Sequence, residues 1–214
     1  PLGHWPSDPH RRPLPGGLAA VKSENGWGYM NRSEQFVIPD IYRQAVSFSE
    51  GMAFVRPMKQ FFCINQNGDS LFVLPEDAEV ISGFSEGFAV IRTIEGIYFV
   101  NNQGKNAFNR VFEDAQPFCD GKAYVKTDGK WNLMDKNGDF QFKEGFYEIE
   151  GFQNGRAVAA ISPLTGIITL SGKTIVEPLY EKAYPVTADI FRIEKGGRVG
   201  YLRSSGAIIW ELSK

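Results

Sequence analysis

Two histidines, two cysteines and 25 acidic side chains are the groups in this 214-residue chain that could do chemistry, and their placement limits what they can do. His4 and His10 both fall in a proline-rich opening, so the rest of the chain has no imidazole to serve as general base, activate a nucleophile or bind a metal. Cys63 and Cys119 stand at different points of the pattern set out below, which gives no reason to pair them. No Cys-x-x-Cys, His-Glu-x-x-His, Gly-x-Gly-x-x-Gly or phosphate-loop motif occurs. Asp135-Lys136-Asn137-Gly138-Asp139 has the composition of a calcium loop's first turn. Asn65-Gln66-Asn67-Gly68-Asp69 occupies the same place in its own segment without the distant bidentate Glu, so both read as hairpin turns. The expectation is a chain with no catalytic residues, no metal and no cofactor. A hydrolase using a pair of carboxylates is the one catalytic alternative, and no spacing singles out such a pair.

The remaining side chains recur in register. Phe48, Phe84, Phe118 and Phe152 are spaced 36, 34 and 34 residues apart, and a further step of 34 in either direction lands on Leu14 and Val186. Three residues after each anchor come Gly17, Gly51, Gly87, Gly121, Gly155 and finally Asp189; two further on come Ala19, Ala53, Ala89, Ala123, Ala157 and Phe191. The copies span 14–47, 48–83, 84–117, 118–151, 152–185 and 186–214. A unit of this length cannot bury a core alone, so the six are expected to stack as one array over 14–214.

Within a copy the pattern predicts strand, tight turn, strand, glycine turn, strand. In the fourth, Lys122 to Thr127 alternates, Asp128-Gly129 turns, Lys130 to Asp135 follows, Lys136-Asn137-Gly138 turns, and Asp139 to Phe142 closes. The second turn carries Gly68, Gly104, Gly138, Gly172 and Gly206, with Glu34 in the first copy. Asn65, Asn101 and Asp135, three residues earlier, suit a type I turn that ends in a left-handed residue. Each copy is thus a three-stranded meander. Met30, Ile64, Val100, Met134, Ile168 and Leu202 on the second strand, and Ile38, Phe72, Phe108, Phe142, Val176 and Trp210 on the third, are apolar in every copy and are expected to be buried. A connector with Tyr42, Phe112, Phe146 and Tyr180, then Ala45, Ala115, Ile149 and Ala183, should seal one copy against the next.

The segment Glu24-Asn25-Gly26-Trp27-Gly28-Tyr29-Met30, followed by Phe36-Val37-Ile38-Pro39, Tyr42 and Phe48-Ser49-Glu50-Gly51, resembles the bacterial WG repeat. The resemblance runs from Leu14 to Lys214. It departs in detail, since Trp-Gly is complete only at Trp27-Gly28, against Phe61-Phe62, Ile97-Tyr98, Trp131-Asn132, Thr165-Gly166 and Val199-Gly200. It implies a β-rich repeat protein with an interaction or surface role, and it brings no catalytic residues. The fold expected is all-β, an open superhelical solenoid, with a six-bladed propeller-like ring as the alternative should the connector supply a fourth strand.

A formal charge of −2 gives no basic footprint for nucleic acid, and no apolar run reaches the length of a membrane span. Residues 1–13 read as a proline-rich extended tail or linker. The favoured function is a non-enzymatic scaffold for a protein partner, with a carbohydrate- or cell-wall-binding module as the alternative. Two features mark the binding site. Phe62 and Tyr98 stand where other copies carry Gly or Asn, and the second copy alone has an insertion, with Glu76, Asp77 and Glu79 in it. An aromatic strip flanked by these acids would take a basic ligand.

Overall fold

The computed structural model describes residues 17–143, 145–153, 156–162, 164–169, 173–187 and 189–213, with side chains described outside 148–162. The 1–13 tail, the Leu14 anchor and the expected Gly155 and Gly172 lie outside the described residues. Every regular element among those described is a β-strand, as the period-two alternation requires. The chain forms two compact units, one through Val111 and one from Phe112 onward.

The first unit holds three antiparallel sheets. They are β1 (Ala19–Lys22), β2 (Trp27–Met30) and β3 (Phe36–Tyr42); then β4 (Gln44–Ala45), β5 (Met52–Arg56), β6 (Phe62–Asn65) and β7 (Ser70–Val73); then β8 (Glu79–Val80), β9 (Phe88–Thr93) and β10 (Gly96–Asn101). The second unit holds β11 (Asp114–Ala115), β12 (Lys122–Thr127) and β13 (Lys130–Asp135); β14 (Glu148–Gln153), β15 (Arg156–Ser162), β16 (Leu164–Thr169) and β17 (Thr174–Tyr180); and β18 (Lys182–Pro185), β19 (Ile190–Lys195), β20 (Arg198–Arg203) and β21 (Ile208–Ser213).

The connector is more than a seal. It is itself a strand, paired with the first long strand of the following copy through Ala45 opposite Val55, Ala115 opposite Val125 and Ala183 opposite Ile193. Three sheets therefore have four strands rather than the three expected from the meander. Small side chains at these pairings keep the connector close to its neighbour.

The glycine of Trp-Gly is explained by the third strand. Trp27 pairs with Tyr42 and Tyr29 with Ile38, so Pro39, Asp40 and Ile41 all face the single residue Gly28. A Cβ on Gly28 would lie 2.7 Å from the Asp40 backbone and from the Ile38 carbonyl. The fifth copy repeats this, with Glu177, Pro178 and Leu179 facing Gly166. Asn132 takes the place of glycine in the fourth copy by bonding the passing backbone itself. Its Nδ2 donates to the Phe142 carbonyl at 2.7 Å and its Oδ1 accepts from the Phe142 amide at 3.1 Å. In the second copy Phe62 sits directly opposite Val73 with no such bulge, which leaves room for its ring.

The second turn is held as its composition suggests. Asn65 Oδ1 accepts from the amides of Asn67 and Asp69, both at 2.9 Å, and Asn31, Asn101 and Asp135 do the same in their copies. Glu34, the exception in sequence, adopts the same left-handed backbone with φ 58°.

Each core cluster described joins two successive copies. Tyr29 and Ile38 pack with Phe48, Ala53, Val55 and Ile64; Phe54, Phe61 and Cys63 pack with Phe84, Ala89, Ile91 and Val100; Ile167 and Val176 pack with Ala183, Phe191, Ile193 and Leu202. Of the second- and third-strand residues expected to be buried, Met30, Phe72, Phe108 and Phe142 are only half-buried. Trp210, on β21, is 61% exposed.

Candidate functional site

A groove of about 780 Å³ opens in the first unit, lined by Trp27, Arg43, Gln44, Arg56, Phe61 and the stretch Glu76–Val80. Two successive copies build it. The Trp-Gly position contributes Trp27 from β2 and Phe61 just before β6, while the β3–β4 junction contributes Arg43 and Gln44. The insertion after β7 supplies the acids. It is fixed from below by Leu74 and Ala78, both buried in the cluster that holds Phe61. The backbone of the insertion is thereby pinned while its acidic side chains stay exposed.

The structure thus brings Glu76, Asp77 and Glu79 together, but not with the two aromatics expected beside them. Phe62 is half-buried against the cluster of Tyr29 and Phe48, and Tyr98 is half-buried against the cluster of Phe54 and Phe84. Neither lines the groove, and among the described residues no ring contact joins them. Tyr98 does lie near the acids. Burial pushes its hydroxyl pKa upward, and the nearby Asp77 and Glu95 carboxylates add to the rise.

Two of the three acids are already engaged. Asp77 Oδ2 accepts from the Ile94 amide at 2.8 Å, which holds the β9–β10 turn, and Glu79 pairs with Arg92 at 3.0 Å. Glu76 has no partner among the described residues. On the opposite side Arg56 lies with its guanidinium carbon 5.3 Å from the centre of the Phe61 ring and donates to Gln44 Oε1 at 3.4 Å. The Arg43 side chain and the Trp27 indole N–H have no partner among the described residues.

Arg43 stands out once the other copies are compared. The residue after the connector aromatic is Glu113 in one copy and Glu181 in another, and each caps the first-hairpin turn of its sheet. Glu113 accepts from the Gly129 amide at 3.0 Å, and Glu181 accepts from the Gly196 amide at 3.1 Å. A cation cannot accept a hydrogen bond, so Arg43 has left that structural task. The sign change after Tyr42 is visible in the sequence and is the signal that would have found this residue. Trp27 and Phe61 were readable only as core, since their alignment across two copies depends on how the sheets stack.

The arrangement offers two aromatic rings, one free cation, one free carboxylate and one free indole donor around an open groove. Such a surface offers stacking and charge pairing.

The family model described as the WG containing repeat matches residues 27–56, 99–131 and 166–198. Each match starts in the second strand of an odd-numbered copy and runs into the next copy. No curated protein matches the chain. Among solved structures it is similar to Kluyveromyces lactis Hsv2 with complete loop 6CD, at 14% identity and a TM-score of 0.43 over 75% of this chain and 58% of that one. A protein of unknown function from Bacteroides caccae is similar at 13% identity and a TM-score of 0.33, over 92% and 93% of the two chains. A eukaryotic initiation factor is similar at 14% identity and a TM-score of 0.53, over 91% of this chain and 62% of the other. This chain spans less than two thirds of the Hsv2 chain. Of these three, the initiation factor has a TM-score above one half, and at that identity the likeness concerns the backbone path alone.

Proposed function

From a β-rich chain that carries the WG containing repeat, we propose a non-enzymatic scaffold that holds a protein partner in the groove between Trp27, Phe61 and the Glu76–Glu79 insertion. The observation that carries this reading is that Arg43 stands where Glu113 and Glu181 cap a turn in their own copies, and that it, Glu76 and the Trp27 indole N–H line one groove with no partner among the described residues. A peptide segment supplies what these groups lack: a basic side chain for Glu76, a carbonyl or carboxylate for Arg43 and Trp27, and an apolar side chain for the aromatic rings. A bacterial source belongs to the same reading, because the pattern resembled is the bacterial one.

The carbohydrate alternative rests on Trp27 rather than on Phe62 and Tyr98. A half-exposed indole beside Gln44 and Glu76 is a stacking platform with hydrogen-bonding groups at its rim. Selection of displayed random peptides on the immobilised chain, run beside a glycan array, separates the two. The expected result is a family of peptides with a basic and an apolar residue, whose affinity falls by about tenfold or more in Trp27→Ala with the β signal unchanged. Glycans that bind in a Trp27-dependent manner, with no peptides, would replace the protein reading by the carbohydrate one. Ligands indifferent to Trp27, Arg43 and Glu76 would remove the groove from the function.

A further inference from the structure

A sheet edge presents backbone groups that no neighbouring strand satisfies, and β4 is such an edge, since its sheet runs in the order β4-β5-β6-β7. Ala45 stands opposite Val55, and beside that pair the Val46 amide donates to the Phe54 carbonyl at 2.8 Å. Hydrogen-bonded and non-hydrogen-bonded pairs alternate along an antiparallel ladder, so the N–H and C=O of Ala45 point away from β5. Its side chain packs against the cluster of Tyr29 and Phe48, and Ala45 lines the groove. Its outward backbone groups open on that groove and have no partner among the described residues.

Two connector edges in the second unit are guarded where β4 is not. Ala115 of β11, opposite Val125, has its amide taken by Asp114 Oδ1 at 2.8 Å. β18 carries Lys182 and Pro185, residue types that discourage the addition of a further strand. In β4 Gln44 stands in the place of Asp114, and its Oε1 accepts from Arg56 at 3.4 Å, which leaves the Ala45 amide open. The flanks of the groove also differ in sign, with Arg43 and Arg56 beside β4 and β5 and Glu76 and Asp77 on the insertion.

We propose that the partner enters as an extended peptide segment that adds a strand to β4, its main chain pairing with the Ala45 N–H and C=O, an acidic side chain meeting Arg43 and a basic one meeting Glu76. This mode rests on the peptide reading of the groove and specifies how the peptide is held. Main-chain pairing supplies affinity whatever the peptide sequence, while alternate side chains read the charged flanks and the Trp27 and Phe61 rings. The period of an extended strand then separates the peptide's own amides. The one that faces Ala45 is required, and its two neighbours are turned away from β4.

The probes are end-blocked synthetic heptapeptides, taken from a random display library for binding to the full chain that is lost in Trp27→Ala. Each is remade with a single N-methyl group at successive backbone amides and titrated by fluorescence anisotropy. Methylation at one internal amide should weaken binding about tenfold or more, the loss of a main-chain hydrogen bond, while methylation at the amides on either side leaves it unchanged. Ala45→Pro removes the outward N–H of an edge strand and none of the β4–β5 bonds, and it should weaken the unmodified peptide by a similar factor with the β signal unchanged. Should that variant lose its fold, the N-methyl series reads the same pairing on the parent chain. A Trp27-dependent peptide that tolerates methylation at every amide would overturn strand addition and leave the peptide reading of the groove standing. So would a peptide weakened by Val80→Pro, on the β8 strand that also lines the groove, and not by Ala45→Pro. A library that yields no Trp27-dependent peptide would remove both.

Discussion

At Gly28 the absence of a single methyl group decides the path of a strand. A Cβ there would meet three backbone atoms of Asp40 and Ile38 at 2.7 Å, none of which can swing away as a side chain would. Gly28→Ala should therefore cost about 1–3 kcal/mol in denaturant unfolding, the range for forced overpacking. An unchanged midpoint would mean that the third strand does not bulge. The recurrence of Trp-Gly was legible as a repeat mark; its cause was not, because it lies in three residues that face one from the opposite strand. The cysteines give a second residue-scale test. Cys63 is buried and its thiol is pushed up to about 12 by that burial, whereas Cys119 is exposed. At mildly alkaline pH a disulfide reagent should label Cys119 in the native chain and Cys63 only after unfolding. Rapid labelling of both in the native state would place Cys63 at the surface.

At the scale of the element, a second-turn glycine and a glycine that opens a copy separate backbone strain from steric fit. Gly104 has φ 78° and faces Phe72, while Gly51 has φ 79° with nothing within 4 Å of an added Cβ. Alanine at Gly51 should cost about 1 kcal/mol for the left-handed backbone alone. Alanine at Gly104 should cost about 1–3 kcal/mol more, for the overlap with the ring. Equal midpoints for the two variants would show that Phe72 moves aside freely. The same turns carry a pH signature. Hydrogen bonds from the amides of Asp139 and Asn137 hold the Asp135 carboxyl below its ordinary 3.8, so the stability it lends is present above that value and is lost as pH falls through the lowered one. Asp135→Asn keeps the accepting oxygen, as Asn31, Asn65 and Asn101 do, without the titration. Urea midpoints at about pH 6 and about pH 3 should fall further for the parent chain than for this variant, and parallel falls would mean that the carboxylate plays no part in acid unfolding. These turns were readable because their chemistry is local. The connector strands were not, since a two-residue strand such as Gln44–Ala45 carries no period and is a strand only by virtue of the copy it pairs with.

At the scale of the whole chain, the six copies and the all-β fold were legible because each repeats its own apolar alternation, while the groove was not, since it draws on two copies at once. The same nearest-neighbour construction sets how a local defect spreads. Tyr29 is fully buried in a cluster confined to the first two copies, and its hydroxyl donates to the Val46 carbonyl at 2.7 Å. Replacing it with Ala removes a ring and a hydrogen bond, at about 3–5 kcal/mol for a large aromatic deletion. The cluster of Ile167, Val176, Phe191 and Leu202 shares no residue with it. Where each described core cluster joins only two successive copies, the loss should stay near its origin. Hydrogen exchange read by mass spectrometry should then rise across β1 to β6 in Tyr29→Ala and stay at the parent level across β19 to β21. A uniform rise along the chain would show instead that all six copies unfold as one cooperative body, and the separate clusters would no longer account for the stability of the array.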